Sequence, residues 1–513
     1  MIEPITRTHG LVNDEPLPPA WLRRAQTEPD DDSTSLRGIH RIGRHQRFRH
    51  ALVKTIDEAR EVVMVASFLL ADEDLAAALL RAVDRGVRVY ALTSTEAKLA
   101  QLPREDSEFD ARMIAEHKAL LDRLAGRVLL RSAGHFHAKF LVADPKTHPK
   151  GFVSTANFNR ALLDSVELGV ELNRKASQAL AAWFSWVFWT EAERELVEKG
   201  RLAAVKRPPA TPRLPTDLAT IVPTTKSHHL LGDAALRLIE GAERQLVVAS
   251  YSLGADHPSV DALIARARAG VEVTVLTRPR PAVLAAVLRL AEAGVTVLAH
   301  DKLHAKAIHS DAGALIMTAN LETHGLDAGF ETGVLLSGRP TARGTQASAL
   351  KAILDAWIAT FPWRFAPAVR PEEHLGEVWL ADKGARDTRV EVVETIDVKL
   401  RSIIAKDALD LDAAPSPKNF RRPRDSAKIP RRVLYSWKVE PPRLPAKAVP
   451  EERTETREEA GKDGKTKQVK VKIPYNPPVY RVGKIRYVLL REPRDVEPAR
   501  KLAAKLRATV VVK

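Results

Sequence analysis

Two histidines in this chain of 513 residues stand in the same setting. His137 is followed by Lys139 and, seven positions on, by Asp144; His304 is followed by Lys306 and Asp311 at the same offsets. With 16 His, 29 Lys and 30 Asp, chance would supply only ~0.05 matches to His-x-Lys-x4-Asp in the whole chain. Each motif leads to a Thr-Ala-Asn context, Thr155 with Asn157 and Thr318 with Asn320, and then to a glutamate in a strand-like segment, Glu167 and Glu331. On a strand, residues i and i+2 share a face, so His137 and Lys139 point together, as do His304 and Lys306. The odd offset of seven puts Asp144 and Asp311 on the other face, where they brace structure rather than touch substrate. One imidazole, one ammonium and one amide make an incomplete acid-base constellation. Two sets at a shared cleft supply a nucleophile, a general acid and cationic clamps for the equatorial oxygens of a tetrahedral anion. The anion that fits is a phosphodiester.

The elements that must position these residues repeat. Gln46 to Trp189 and Leu231 to Trp363 carry the same landmarks in the same order. Each opens on a helix-like stretch, then a buried-strand run (VVMVASFLL, LVVASYSL), then an amphipathic helix that stops at glycine and feeds a strand (AALLRAVDRGVRVYALTS, ALIARARAGVEVTVLTR). After a third helix the halves converge on HFHAKFLVAD and KLHAKAIHSD, then on SVELGVEL and GFETGVLL. Strands alternating with helices of this length predict a mostly parallel sheet covered on both faces. Trp183, Trp186 and Trp189, at helical i, i+3, i+6 spacing, read as core packing. Five prolines from Pro208 to Pro223 predict a stiff extended linker.

At these motifs the sequence resembles the phospholipase D superfamily, whose signature is a pair of His-x-Lys-x4-Asp motifs, each followed by Gly-Ser-x-Asn. The resemblance covers roughly residues 40 to 365. Ser154-Thr155 and Met317-Thr318 replace the family's Gly-Ser but keep a hydroxyl two residues before each asparagine, and PKTHPKG after Asp144 is a short insertion. The resemblance implies an α/β fold of two tandem phospholipase D-like α/β/α sandwich domains with pseudo-twofold symmetry; beyond it, the strand-like segments RRVLYSW, KQVKVKI and YRVGKIRYVLL read as a small basic β-rich C-terminal domain. It implies that one of His137 and His304 attacks phosphorus to give a phosphohistidine while the other protonates the leaving oxygen. Lys139, Lys306, Asn157 and Asn320 would bind the phosphoryl oxygens, Glu167 and Glu331 would hydrogen-bond the imidazoles, and Asp144, Asp311, Thr155 and Thr318 would support them. The scheme calls for no metal and no cofactor, and one chain completes the site.

The expected organisation is a flexible segment 1–37, a first domain 38–198, a Pro-rich linker 199–226, a second domain 227–365, a connecting region 366–417 and a basic module 418–513. The chain has no cysteine, which excludes disulfides, thiolate zinc sites and cysteine nucleophiles. Its N-terminus lacks the apolar core of a signal peptide, and its longest mainly apolar run, Val62 to Ala71, is too short to span a bilayer, so a soluble cytoplasmic protein is expected. The net charge of +15 is unevenly spread: residues 418–513 hold 27 Lys and Arg against 11 Asp and Glu, a net +16, leaving −1 for the rest. Such a tail points to a polyanion, nucleic acid or an anionic membrane surface. Four of the six tyrosines lie in it. Arg431, Arg432, Lys470, Lys472, Arg481, Lys484 and Arg486, with Tyr435, Trp437 and Tyr487 among them, are the nucleic-acid-binding candidates, by charge neutralisation and base stacking. The competing reading is a small β domain with aromatics in its core. The sequence thus suggests a metal-independent nuclease acting on DNA in preference to RNA, with phage defence and DNA repair as settings. The alternatives are a phospholipid hydrolase or phosphatidyltransferase, and an inactive scaffold that binds DNA or, through the C-terminal module, a protein.

Overall fold

The computed structural model describes residues 19–24, 36–43, 45–95, 111–206, 213–338 and 342–368, together with the segments 378–381, 389–392, 432–436, 451–460, 466–475, 479–482, 485–489 and 509–512. The chain divides into two units, one of Arg24–Pro367 and one joining Met1–Arg23 to Ala368–Lys513.

Each repeat in the first unit builds one sheet. In the first repeat Val62–Ala66, Arg88–Ser94 and Leu129–Ala133 lie side by side in parallel. In the second, Gln245–Ala249, Glu272–Thr277 and Thr296–Ala299 do the same. Glycines at positive φ, Gly86 and Gly270, end the preceding helices and release the chain into these strands. The remaining neighbours are antiparallel: Val62–Ala66 with Phe140–Ala143, then Lys150–Ser154, Glu167–Leu172 and Ile39–Ile42. The second repeat follows with Gln245–Ala249, Ala307–Ser310, Gly313–Met317, Glu331–Leu335 and Ile221–Thr224. The mostly parallel sheet expected from sequence is therefore mixed. The reason is connection length: only Asp311 and Ala312 separate Ala307–Ser310 from Gly313–Met317, whereas a parallel pair needs a crossover of a dozen residues or more.

Helices Arg47–Glu58, Glu73–Asp84 and Ala111–Leu124 cover one face of the first sheet, burying Leu52, Ile56, Leu75, Leu79 and Leu120. A second core gathers helices Arg174–Thr190 and Gln346–Thr360 with residues of both sheets: Trp183, Phe184 and Val187 meet the same cluster as Leu350, Leu354 and Trp357. Each such large apolar side chain contributes about 1.5–3 kcal/mol on burial, so the repeats are held as one body by a shared core. Trp183 packs against Phe140, but Trp189 is 41% exposed and departs from the core reading. At 3.6 residues per turn, i+6 lies about 120° around the helix from i, beyond the buried face.

Parts of the expected linker and termini are strands. Arg201–Ala204 pairs with Arg194–Glu198, and Ile221–Thr224 pairs with Glu331–Leu335, with Pro223 opposite Thr332. In the second unit Ala20–Arg23, which falls in the segment expected to be flexible, pairs antiparallel with Val378–Leu380. A four-residue strand whose partner is hundreds of residues away leaves no local pattern to read. Within the expected basic module, Arg432–Ser436 lies between Ile485–Leu489 and Thr509–Val512, and Glu451–Ala460 forms a hairpin with Thr466–Tyr475.

Candidate active site

The two motifs meet because each repeat hands a backbone carbonyl to the other. Phe136 bridges Phe330, and Val166 bridges Leu303. The N–H groups of His137 and Ala138 both donate to the Phe330 carbonyl at 3.0 Å, and those of His304 and Ala305 both donate to the Val166 carbonyl at 3.0 Å. Phe330 and Val166 immediately precede Glu331 and Glu167, so the latch brings each glutamate to the opposite repeat's histidine. Glu331 Oε1 lies 2.6 Å from His137 Nδ1, and Glu167 Oε1 lies 2.6 Å from His304 Nδ1. A carboxylate on Nδ1 fixes ring orientation and tautomer and leaves Nε2 as the reactive nitrogen.

The second oxygen of each carboxylate is held by a hydroxyl, Thr155 for Glu167 and Thr318 for Glu331, and each hydroxyl in turn accepts the N–H of Leu168 or Thr332. Lys139 and Lys306 are fully buried. Lys139 Nζ donates to the His137 carbonyl at 2.5 Å and lies 2.9 Å from its Nε2; Lys306 Nζ donates to the His304 carbonyl at 2.5 Å and lies 2.7 Å from its Nε2. An ammonium wholly removed from water carries a heavy desolvation penalty unless its charge is used. The asparagines differ: Asn157 Oδ1 accepts from Leu69 N–H at 3.4 Å, whereas Asn320 Nδ2 donates to Glu322 at 3.3 Å. Asp144 accepts the N–H groups of Arg60, Glu61 and Val62, and Asp311 those of Glu243, Arg244 and Gln245, each tying down the start of a central strand.

Four residues outside the motifs complete the walls. Ser67 and Ser250 hydroxyls donate to the carbonyls two residues on and accept from Phe158 N–H and Leu321 N–H, in the same pattern in both repeats. They set Phe68 against the His137 ring and Tyr251 against the His304 ring, both at 4.9 Å between centroids. The aligned Ala-Ser-Phe and Ala-Ser-Tyr triplets carried this signal in the sequence.

The symmetry is broken in exposure and charge. The His137 side chain is 25% exposed and that of His304 4%. Burial lowers the His137 imidazole, with Lys139 and Lys306 adding to the effect against the opposing pull of Glu331. Burial would push Glu331 up, but His137, Lys139 and the Thr318 hydroxyl outweigh it and hold the carboxyl below its usual range. Burial pushes Glu167 up to about 7, against the pull of Lys306, Thr155, Lys139 and Arg278. One pair thus joins a neutral imidazole to a carboxylate, and the other keeps a proton near neutrality.

The C-terminal candidates are placed by backbone alone. Tyr435 is in register with Arg486 and Leu434 with Tyr487. Lys470 and Lys472 oppose Thr456 and Thr454 on a strand that contains five glutamates and two arginines. Arg432 pairs with Leu489 and Arg481 with Glu391. Arg431, Trp437 and Lys484 lie outside the described residues.

A family described as "Cardiolipin synthase, PLD-like domain" matches residues 52–189 and 235–352, one segment in each repeat. No curated protein sequence matches significantly. Among solved structures, the phosphatidylserine synthase of Haemophilus influenzae Rd KW20 is 13% identical, with 76% of this chain and 94% of that chain covered and a TM-score of 0.45. The phospholipase D family member NUC from Salmonella typhimurium is 18% identical over 29% of this chain and 89% of its own, with a TM-score of 0.23. NucT from Helicobacter pylori is 15% identical over 29% and 91%, also at 0.23. With the PLD-like domain matched once in each repeat, the chain belongs to the phospholipase D superfamily of phosphodiesterases.

Proposed function

We propose that the protein hydrolyses phosphodiester bonds of nucleic acid through a phosphohistidine, without a metal ion. The observation that supports this reading is the crossed pair of His–Glu contacts, each with a buried lysine beside Nε2. His137, the more exposed and neutral imidazole, is the nucleophile: Nε2 forms a bond to phosphorus as the bond to the leaving oxygen breaks. His304, paired with a glutamate that still holds a proton near neutrality, gives its proton to that oxygen. Neutral His304 then takes a proton from water, whose oxygen displaces His137 from phosphorus. Lys139 and Lys306 offset the charge on the equatorial oxygens in a low-dielectric site, where such contacts are strongest.

Imidazole, imidazolium and ammonium fill the roles of nucleophile, acid and charge stabiliser that a divalent ion would otherwise serve. The reaction is therefore expected to survive excess chelator. Activity lost in chelator and restored by magnesium or manganese would sink the mechanism.

The pH profile carries a second expectation. If His304 and Glu167 together hold the general-acid proton, raising the pH through about 7 strips it, so kcat should fall on the alkaline side. A rate that keeps climbing from pH 7 to 9 would reverse the assignment of roles.

Nucleic acid is favoured as substrate by the net +16 of residues 418–513. Among the described residues no helix is long and apolar enough to cross a membrane. The second reading, phosphatidyl transfer or phospholipid hydrolysis, is favoured by the description of the matched family. Incubation with labelled single- and double-stranded DNA, RNA and phospholipid vesicles in parallel distinguishes them; cleavage of lipid alone would replace the first reading by the second. Deleting residues 418–513 should weaken nucleic-acid affinity and flatten the slope of log affinity against log salt, by about 0.7–0.9 for each phosphate that the shortened chain no longer neutralises. An unaltered slope would assign the tail to a protein partner.

A further inference from the structure

The second repeat carries two arginines next to the histidine pair where the described residues of the first repeat have serine and threonine. In both sheets the central parallel strand ends beside the serine that sets the aromatic ring against the histidine. Ser67 N–H bonds the Leu92 carbonyl, and Ser250 N–H bonds the Leu276 carbonyl, which aligns Leu92 with Leu276. From that point the first repeat reads Leu92-Thr93-Ser94-Thr95-Glu96 and the second Leu276-Thr277-Arg278-Pro279-Arg280. Ser94 and Thr95 are buried, whereas Arg278 and Arg280 are half-buried. The carboxyl ends of parallel strands are where open α/β sheets receive ligands.

Both guanidinium groups gather on one ring. Arg280 lies 4.4 Å and Arg278 5.5 Å from the centroid of Tyr251, with Lys306 Nζ at 5.7 Å. Tyr251 is the ring that packs against His304. Proline at 279 and again at 281 fixes φ on both sides of Arg280, which limits what the backbone loses when a ligand binds. The opposite wall holds Phe68, Leu69 and Met113 in an apolar cluster.

We propose that Arg278 and Arg280 bind a second phosphate of the substrate, adjacent to the scissile one and on the His304 side, so that the cleft has a fixed polarity. The inference rests on the phosphodiesterase reading above and deepens it. Guanidinium is the group for this task because its planar fork takes two phosphate oxygens at once and stacks on an aromatic face. The second phosphate is either the neighbouring one of a nucleic-acid strand or the partner in a pyrophosphate diester. Because the leaving oxygen is protonated from the His304 side, the second phosphate belongs to the leaving portion of the substrate.

The test uses the full chain with three dinucleotides, TpT, pTpT and TpTp, and with CDP-glycerol against glycerophosphocholine. The wild type is expected to prefer one substrate with an extra phosphate by tenfold or more in kcat/KM. A preference for pTpT or TpTp identifies the strand phosphate, and one confined to CDP-glycerol identifies the pyrophosphate. Replacing Arg278→Gln and Arg280→Gln together should reduce the preference to within about twofold of unity, and Arg278→Lys with Arg280→Lys should restore part of it. Equilibrium binding is the second readout: pyrophosphate should bind the wild type at least tenfold more tightly than orthophosphate, and the glutamine variant should lose that ratio. Hydrolysis with no preference, or a preference unchanged in the glutamine variant, overturns the second-phosphate site alone. Absence of any hydrolysis overturns the phosphodiesterase reading, and the binding ratio then decides the second site by itself.

Discussion

Replacing His137 or His304 by alanine is expected to lower kcat on the order of 10⁴-fold in either case, about 5.5 kcal/mol at 1.36 kcal/mol per decade. The double variant should be little worse than the worse single one, because the two rings act in one sequence of bond changes and the second has nothing to do once the first is gone. The halves are not equivalent, so their intermediates should differ. Substrate mixed with enzyme and quenched in denaturant should leave on His137 of the wild type an acid-labile phosphoryl adduct that still carries the retained ester group, and none in His137→Ala. His304→Ala, which keeps the nucleophile, should still accumulate phosphohistidine with substrates whose leaving group needs no proton, such as a p-nitrophenyl ester. The adduct recovered on His304 instead would exchange the two roles. Nearly intact turnover in either single variant would mean that one motif is decorative and the shared cleft is not the active site.

The second large effect concerns the lysines. Lys139→Met and Lys306→Met should each reduce the rate by about 10² to 10³-fold, the range seen when a preorganised donor to a developing negative charge is removed. Stability should rise or stay level for Lys306→Met, whereas Lys139→Met, which takes a cation from the buried Glu331 carboxylate, should be destabilised. Both ammonium groups are fully buried, and methionine fills similar volume without a charge to desolvate. For Lys306 the balance is helped because Glu167 already holds a proton near neutrality and is not left as an uncompensated anion. Single-turnover rates and thermal unfolding midpoints measured together decide the matter. A midpoint lowered by many degrees with the rate preserved would make these lysines structural, and the buried charge would then belong to the fold rather than to the chemistry.

The contrast between the two repeats explains why the sequence reads well in some places and poorly in others. The His-x-Lys pairs, the Thr-Ala-Asn segments and the glutamates were legible because strand periodicity and an internal repeat are local properties, and two copies in one chain make coincidence improbable. The two-repeat α/β architecture was legible for the same reason. Sheet direction was not, since the alternation of helices and strands suggested parallel pairing while short connections such as Asp311-Ala312 imposed hairpins. The strand Ala20–Arg23 had no local signature because its pairing depends on Val378–Leu380.

By itself the sequence determined which groups are present and that they come in two equivalent sets. Only the tertiary structure decided which glutamate serves which histidine. His137 takes Glu331 across 194 residues and His304 takes Glu167 across 137, because the carbonyls of Phe330 and Val166 latch each repeat to the other. It also decided that the pairs are unequal. Exposure and desolvation are set by packing between residues far apart in the chain, and at Glu167 burial outweighs the opposing pull of Lys306 and Arg278, so two nearly identical motifs become one neutral imidazole beside a carboxylate and one pair that holds a proton near neutrality.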